Sequence, residues 1–278
     1  METYDLAAQQ AARVLTHTFS TSFSRSIYFF KPRMRQHIYN LYGLVRVADE
    51  VVDSYHGKDA LAILNKLEDD TYQAIKTGYS SNVIIHAFLL TAQQADIGKE
   101  LIKPFFDSMR MDIEPRKYHA SKDYEKYIYG SAEVVGLMCL KVFCMGDKSG
   151  YQKLQQGAKA LGSAFQKINF LRDIADDYKR LGRYYFPVGS FATFDDSIKS
   201  EIVADINLDM KLAKTAMEQL PKDAQTAVCV AYEYFATLLT RLSKSPAKQL
   251  KKERLRVSNP HKRWIIGSVI VRQKIRGK

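Results

Sequence analysis

Apolar residues recur at helical spacing along most of the chain. In residues 35–54, Ile38, Leu41, Val45 and Val52 fall on one face of a helix. The same spacing predicts helices over residues 61–77, 82–96, 123–146, 151–180, 201–219 and 222–244, and a basic helix from Asn259 onward. A run of Gly, Ser, Asp and Phe between Pro187 and about Ser200 indicates a loop. Because the alternation typical of strands is weak, we expect an all-α fold forming a single domain over residues 1–278.

Composition agrees with an ordered globular protein. Hydrophobic residues make up 46% of the 278 residues, and the formal net charge is +12. A basic surplus favours anionic partners such as diphosphates or acidic membrane surfaces, although a solvated tail gives the same pattern. Nucleic-acid binding would rest on net charge alone, and we do not expect it. Much of the surplus lies at the C-terminal end, in Lys248, Lys251, Lys252, Arg254, Arg256, Lys262, Arg263, Arg272, Lys274, Arg276 and Lys278.

Cysteine content and the N-terminus bear on the compartment. The three cysteines, Cys139, Cys144 and Cys229, are odd in number and lack CxxC spacing. This argues against a disulfide framework or a zinc site. The N-terminus METYDLAAQQ has no apolar core typical of a signal peptide, and no apolar run is long enough to span a bilayer. We therefore expect a cytoplasmic protein with reduced thiols, associated at most peripherally with a membrane.

The first candidate chemical motif is RVADEVVD. Asp49 and Asp53 are four residues apart, so a helix places both on one side, with Tyr42 and Arg46 on the same stripe. Asp49 falls among apolar residues, where a lone carboxylate would be costly to bury. A metal ion would compensate it. So would an ion pair with Arg46 at a partly wet helix edge, and the helix alone does not separate the two readings.

The second constellation lies in AFQKINFLRDIADD. Gln166, Asn169, Asp173 and Asp177 follow steps of three, four and four, which align them on one helical face. An ordinary solvated face would show the same periodicity. Two helices that each carry carboxylates at i and i+4 favour function more strongly. Mg²⁺ prefers carboxylate and phosphate oxygens, and facing pairs can hold such ions against a diphosphate. Arg183 and neighbouring cations follow directly and could close over it, or simply complement the helix dipole.

Six segments of the chain, in the same order, resemble sequence motifs of the squalene and phytoene synthase family. The elements are Ser20-Thr21-Ser22-Phe23, the segment from Arg46 to Asp53, Tyr127-Ile128-Tyr129 with Ala132 and Val135-Gly136-Leu137-Met138, the segment from Gln166 to Asp177, Gly182-Arg183-Tyr184-Tyr185-Phe186-Pro187, and Arg254-Leu255-Arg256-Val257-Ser258. Glu133 stands where the family often has Gly, and Asp176 where Glu is common. Neither departure removes an expected Mg²⁺ ligand.

The resemblance implies a fold, an activity and a set of roles. It implies an isoprenoid-synthase-type helical bundle around a central cavity, joining two prenyl diphosphates head to head with Mg²⁺ (Mn²⁺ as a substitute) and without NADPH. The implied metal ligands are Asp49, Asp53, Asn169, Asp173 and Asp177, with Arg46 and Tyr42 also in the catalytic set. The implied substrate-binding residues are Ser20, Ser22, Phe23, Gln166, Asn169, Arg172, Arg183, Tyr184 and Tyr234. The implied tunnel for the prenyl tails includes Val135, Leu137, Met138 and Phe165.

Two alternatives stay open. The first is a related synthase that makes squalene, dehydrosqualene or a hydroxylated product from farnesyl diphosphate. The second is a non-catalytic assembly factor of the same fold, a class that tends to lose the aspartate pairs, all four of which this chain retains. The bacterial phytoene synthases resemble this chain most, and they imply geranylgeranyl diphosphate as substrate.

Overall fold

Helices form every regular element that a computed structural model describes in residues 1–55, 57–113 and 121–276, where the side chains of 21–23 and 274–276 lie outside the description. The all-α prediction is therefore confirmed. The helices are α1 (Glu2–Phe19), α2 (Thr21–Ile27), α3 (Pro32–Asp53), α4 (Ala60–Thr77), α5 (Val83–Gln94), α6 (Lys99–Ile113), α7 (Ser121–Ile128), a π-helical turn (Tyr129–Glu133), α8 (Val134–Phe143), α9 (Lys148–Leu181), α10 (Asp196–Met217), α11 (Lys222–Lys244), α12 (Ala247–Leu250) and α13 (Asn259–Arg276).

Local chemistry explains where several predicted helices begin and end. Pro32 occupies the first turn of α3, where its missing N–H costs nothing. Gly78 ends α4 in the left-handed conformation, with φ +76°. The Asp195 side chain accepts hydrogen bonds from the backbone of Ser197 and Ile198, which starts α10 at Asp196. The loop predicted up to Ser200 is therefore shorter than expected.

The prediction of a single helix over residues 123–146 is wrong in one respect. It is divided into α7 and α8 by the π-helical turn. Gly130, within that turn, packs so closely on α6 that an added Cβ would lie 2.3 Å from the carbonyl oxygen of Pro104. Apolar spacing continues across the junction, so the sequence pattern does not reveal the extra residue in this turn.

Helices α1, α2, α6 and α12 were not predicted from the pattern. In α1 only Ala8, Ala12 and Thr16 are buried, which is too narrow a stripe to stand out. The short helix α2 follows directly. In α6 the internal Pro104 interrupts the pattern, although the helix buries Phe105 and Phe106 fully.

Two large apolar clusters make up most of the core. One is built from α3, α4, α5, α6 and α8 and contains Phe88, Phe105 and Phe106. The other joins α9, α10, α11 and α13 and contains Ile168 and Leu171. Asp53, Asp112 and Asp177 lie close together in the last turns of α3, α6 and α9. Arg183 contacts both Asp53 and Asp112. It also interacts electrostatically with Asp177. The site therefore lies where three helix C-termini meet.

Candidate active site

The first acidic pair lies at the end of α3. Asp49 is half-buried, and burial together with the negative charge of Asp53 raises the pKa of Asp49 to about 7. Arg46 opposes this rise, whereas Asp112 adds to it. The nearby positive charge of Arg46 does not fully compensate the negative charge of an ionised Asp49. The expected compensation by a cation therefore fits the electrostatics of this helix end.

The second acidic pair lies near the end of α9. Burial raises the pKa of Asp177 to about 7, and the charges of Asp173 and Asp53 contribute to the rise. Because Asp53 belongs to α3, its influence places the two acidic pairs opposite each other. The negative ends of the α3 and α9 dipoles point at the same region, which further favours a cation there.

Arg183 connects the acidic helices. Gly182 ends α9 with φ +65°, and this left-handed turn carries Arg183 back toward the helix ends. Its guanidinium donates to Asp53 Oδ1 at 2.8 Å, to the Asp112 carbonyl at 2.8 Å and to the Val52 carbonyl at 3.2 Å. Burial opposes the charge, but Asp112, Tyr185 and Asp53 together raise the pKa of Arg183. Arg183 is thus a fixed, permanent cation at the rim of the acidic site.

Asp173 is held by two arginines. Arg172 donates from Nε to Oδ1 at 2.8 Å and from Nη2 to Oδ2 at 2.5 Å. Arg254, from the segment after α12, places its Nε 2.6 Å from Asp173 Oδ1. In each pair, therefore, one aspartate is bound by arginine and the other has its pKa raised to about 7. Two guanidinium groups, of the kind that binds anionic oxygens in pairs, thus flank the second acidic pair.

Asp112, Tyr127 and Tyr185 complete the site. Both tyrosines lie in segments that resemble the family, but neither their role here nor that of Asp112 was predicted from the sequence. Asp112 is 8% exposed, accepts a hydrogen bond from the Tyr127 hydroxyl at 2.7 Å, and lies 3.3 Å from the Tyr185 hydroxyl. Burial raises its pKa to about 6, against the opposing charge of Arg183. Tyr185 stacks on Phe170 with ring centroids 4.0 Å apart, which fixes its orientation. Asp112 lies between Met111 and Ile113, and a carboxylate between two apolar residues is the sequence feature by which it could have been found.

The stripe expected around Tyr42 is partly in place. The side chains of Tyr42 and Ser20 are hydrogen-bonded, which joins the end of α1 to α3. Arg46 forms its ion pair with Glu50 and lies over the Phe19 ring at 4.4 Å. The alternative of an Arg46–Asp49 pair is thus replaced by an Arg46–Glu50 pair, and Arg46 acts on Asp49 as a nearby charge. The side chains of Ser22 and Phe23 lie outside the described residues.

The other expected substrate residues occupy different positions. Gln166 and Asn169 are half-buried on the α9 stripe, and they lie two turns and one turn before Asp173, respectively. Tyr234 interacts electrostatically with Arg172, and Lys262 lies over its ring at 5.5 Å. Tyr184 instead donates to the Val188 carbonyl at 2.8 Å. Its neighbour Tyr185 is the tyrosine that reaches Arg183, and the substrate role of Tyr184 stays a prediction.

The donor set fits Mg²⁺ or Mn²⁺. Carboxylates and an amide supply hard oxygen ligands, and the site is rich in negative charge. Among the side chains in the described ranges, no three of His, Cys, Asp or Glu converge tightly enough to hold an ion by themselves. An ion in this site would therefore need further oxygens, which a diphosphate supplies.

Glu133 also finds its partners in the structure. Burial raises the pKa of this half-buried residue, and the charges of Lys159 and Lys167 oppose that rise. Lys167 is itself paired with Asp205 at 2.6 Å and with Asp209 at 2.8 Å. Glu133 therefore belongs to a polar cluster between the π-helical turn, α9 and α10.

Sequence comparison identifies relatives along most of the chain. Residues 16–261 match the family described as squalene/phytoene synthase. A 4,4'-diapophytoene synthase from Staphylococcus haemolyticus is 26% identical over 188 residues, covering 67% of this chain and 65% of that protein. A 15-cis-phytoene synthase from a Paracoccus species is 30% identical over 175 residues, covering 60% of this chain and 56% of that protein. The chain thus spans less than two thirds of the length of these curated relatives.

Structural comparison gives the same fold. A dehydrosqualene synthase determined with a ligand superposes with a TM-score of 0.75 at 20% identity, covering 97% of this chain and 98% of that structure. A squalene synthase from Alicyclobacillus acidocaldarius has a TM-score of 0.75 at 19% identity, covering 90% of this chain and 96% of that structure. At these identities the likeness establishes the isoprenoid-synthase helical fold and leaves the substrate open.

Proposed function

Because the chain belongs to the squalene/phytoene synthase family, we propose that it joins two prenyl diphosphates head to head, with geranylgeranyl diphosphate as substrate and phytoene as product. The observation that carries this proposal is the meeting of two acidic pairs at the ends of α3 and α9. There Asp49 and Asp177 both have a pKa of about 7 and both lie close to Asp53. Such a site attracts cations, and with Arg183, Arg172 and Arg254 at its rim it suits a metal-bound diphosphate.

The reaction has two ionisation steps. The first substrate loses its diphosphate, and the C2–C3 double bond of the second attacks the allylic cation. Loss of a proton then gives a cyclopropylcarbinyl diphosphate. This intermediate loses the second diphosphate, rearranges, and loses another proton to form the triene centre of phytoene. Two diphosphates and two protons leave in total, so no reductant is consumed.

The chain's own residues would bind and orient the leaving groups. Mg²⁺, when bound, would neutralise the diphosphate as its C–O bond breaks. Asp49, Asp53, Asp173 and Asp177, with Asn169, would supply its protein ligands. Arg183 would donate to the phosphate oxygens from a position already fixed by Asp53 and the Asp112 carbonyl. Tyr42 and Ser20 would close the side of the site next to α1.

Apolar helices would hold the prenyl tails and protect the carbocation from water. Leu137 and Met138 of α8 are 3% and 2% exposed and belong to the apolar cluster that adjoins α3. Val135 packs at its edge, and Phe165 of α9 stacks on Phe235 with ring centroids 3.9 Å apart. An environment without polar groups favours rearrangement over capture by water.

The relatives support a second substrate almost equally well. Both the 4,4'-diapophytoene synthase and the dehydrosqualene synthase point to the shorter farnesyl diphosphate, if this chain follows them. A tunnel deep enough for the longer chain also admits the shorter one, so discrimination against farnesyl diphosphate is expected to be modest. A non-catalytic role is disfavoured because all four aspartates lie in the acidic site.

The surroundings of the reaction follow from its chemistry. The substrate and product are lipids, so we propose peripheral association with an anionic membrane on the cytoplasmic side, and no nucleic-acid partner. No helix in the described part of the chain is long and apolar enough to cross a bilayer. The net charge of +12 agrees with attraction to an anionic surface.

Product analysis by mass tests the proposal. The purified protein is incubated with Mg²⁺ and either geranylgeranyl or farnesyl diphosphate, with and without NADPH. We expect a forty-carbon hydrocarbon from geranylgeranyl diphosphate without NADPH. Turnover of farnesyl diphosphate alone would assign the dehydrosqualene branch, and hydrocarbon that appears only with NADPH would assign the squalene branch.

A further inference from the structure

Arg254 reaches the second acidic pair from a distant part of the chain. It lies in the segment between α12 and α13, outside the helices, and 81 residues separate it from Asp173. Its Nε lies 2.6 Å from Asp173 Oδ1, and its Nη2 donates to Asp173 Oδ2 at 3.2 Å. The guanidinium therefore meets the carboxylate with two of its nitrogens, in the paired geometry typical of arginine and carboxylate.

The carboxylate of Asp173 is occupied on both oxygens. Arg172 donates to the same two oxygens, at 2.8 Å and 2.5 Å. Each oxygen of Asp173 is thus in contact with a nitrogen of both arginines. Because an ionised carboxylate offers about four lone-pair sites in total, these contacts leave little of it accessible to a further ligand. Two positive charges beside one negative charge also disfavour the approach of a divalent cation.

The two arginines differ in how firmly they are held. The backbone of Arg172 belongs to α9, and its side chain is 17% exposed and interacts electrostatically with Asp177 and Tyr234 as well. The Arg254 side chain is 37% exposed and extends from a non-helical segment, which the buried Val257 anchors three residues later. Arg254 can therefore turn away from Asp173 without any change in the helices.

The first acidic pair is held differently. Arg183 contacts Oδ1 of Asp53, whose side chain is 44% exposed. Arg183 itself is 12% exposed and donates to two backbone carbonyls, so its position is fixed. The two acidic pairs are therefore unequal in this structure, although the spacing of their aspartates in the sequence is the same. Arg254 is the residue that makes the difference.

We propose that Arg254 is an exchangeable counter-ion of Asp173: it holds this carboxylate while no diphosphate is bound, and moves to the diphosphate when one binds, which leaves Asp173 to the metal ion. The inference rests on the proposed function, which assigns both the metal and the diphosphate to this site. A diphosphate offers Arg254 anionic oxygens in the same paired geometry. By this exchange the metal and the diphosphate each strengthen the binding of the other, by the same factor.

The exchange predicts effects of opposite sign for a single substitution. Without diphosphate, Arg254→Gln removes the competitor for Asp173, so Mn²⁺ should bind about fivefold more tightly, the lower end of the range for coupled sites. With saturating Mg²⁺, the same substitution removes a donor to the phosphate oxygens, so inorganic diphosphate should bind about tenfold more weakly. An arginine that only bound substrate would show the second effect without the first.

Two binding measurements and two controls test the exchange. Electron paramagnetic resonance of free Mn²⁺ measures the first affinity, and calorimetry with inorganic diphosphate in excess Mg²⁺ measures the second. Arg33→Gln is the matched control, because Arg33 also pairs with an aspartate, Asp223, at 2.7 Å, but lies in the first turn of α3, whereas Asp53 ends that helix. Arg180→Gln removes an exposed positive charge three residues after Asp177 and tests for a general effect of charge.

We expect Mn²⁺ affinity to rise in Arg254→Gln and to stay close to the wild-type value in both controls. An unchanged or lower Mn²⁺ affinity in Arg254→Gln would overturn the inference, as would an equal rise in Arg180→Gln or unchanged binding of diphosphate. The proposed function survives these results if the wild-type protein binds diphosphate with Mg²⁺. If the wild-type protein binds neither Mn²⁺ nor diphosphate, the proposed function fails, and the inference fails with it.

Discussion

Arg183 Nη1 lies 2.8 Å from Asp53 Oδ1, although 130 residues separate the two in sequence. The pair links the loop after α9 to the last residue of α3. The same guanidinium also donates to the Asp112 carbonyl at the end of α6, so three helix ends are held by one side chain. The acidic pairs therefore keep their relative positions before any substrate arrives.

The first prediction concerns this arginine. Arg183→Gln removes the positive charge and the planar set of N–H donors. We expect kcat/KM to fall on the order of a hundredfold or more, because a group that stabilises the negative charge of the leaving diphosphate is lost. Arg183→Lys keeps the charge but not the planar geometry, so we expect only partial recovery. Steady-state kinetics measure both variants. If Arg183→Gln retains wild-type kcat/KM, the proposed role of Arg183 is wrong.

The second prediction concerns protons displaced by the metal. Asp49 and Asp177 have a pKa of about 7, above the ordinary value, so both are largely protonated at pH 6 and largely ionised at pH 8. Mg²⁺ requires the ionised forms, so its affinity in the presence of inorganic diphosphate should rise with pH across this window. At pH 7 binding should release roughly one proton in total, because each group is then about half-protonated.

Calorimetry in two buffers of different ionisation enthalpy counts these protons. Asp177→Asn should reduce the release, and Asp69→Asn, the same chemical change at an exposed position on α4, should leave it unchanged. Release that is absent in the wild-type protein would contradict the assignment of Asp49 and Asp177 as metal ligands.

The third prediction concerns the buried Asp112. Tyr127→Phe removes the hydrogen bond that its hydroxyl donates to Asp112 at 2.7 Å, so the free energy of unfolding should fall by about 1 kcal/mol. Folding raises the pKa of Asp112 to about 6, so the carboxyl is ionised in the folded state only above that pH. Because the pKa of Asp112 is higher in the folded state than in the unfolded state, this group lowers the free energy of unfolding as the pH rises from about 4 through 6.

Because the Tyr127 hydroxyl stabilises the ionised form, the loss in Tyr127→Phe should be larger at pH 8 than at pH 5. Urea unfolding at the two pH values measures it. An equal or larger loss at pH 5 would be the contrary result.

The fourth prediction concerns the contact between the π-helical turn and α9. A Cβ added at Gly162 would lie 2.4 Å from the Ala132 carbonyl oxygen, so Gly162→Ala must push the two helices apart. We expect a destabilisation of about 1–3 kcal/mol, seen as a lower melting temperature. Gly267→Ala in α13 is the matched control, because a Cβ there has no neighbour within 4 Å in the described structure, and it should be neutral or slightly stabilising. Equal effects of the two changes would refute the packing argument.

The sequence predicted most of the helices and both acidic pairs, for physical reasons that also mark the limits. Helical spacing located α3, α4, α5, α9 and α11 because each has a broad apolar face. Helix α6 was missed because Pro104 breaks its pattern, and with it Asp112 was missed. The Arg183–Asp53 and Arg254–Asp173 contacts depend on the path of the segments after α9 and α12, which spacing within a helix does not describe.

Some predictions remain untested by the structure. The single-domain organisation over residues 1–278 stays a prediction, as do the roles of the individual site residues and the use of Mg²⁺ without NADPH. Among these residues, Tyr184 has the least geometric support, because its hydroxyl is directed to the Val188 carbonyl. Tyr185 is a stronger candidate, since it contacts both Arg183 and Asp112.

The proposed function requires both acidic pairs to act together on a diphosphate. The most direct measurement is the Mg²⁺-dependent release of inorganic diphosphate from geranylgeranyl diphosphate by the wild-type protein, Asp49→Asn, Asp177→Asn and the control Asp69→Asn. We expect release by the wild-type and control proteins, a loss on the order of a hundredfold or more in each of the other two variants, and no release in EDTA. Release at the wild-type rate by Asp49→Asn or Asp177→Asn, or full release in EDTA, would contradict the proposed function.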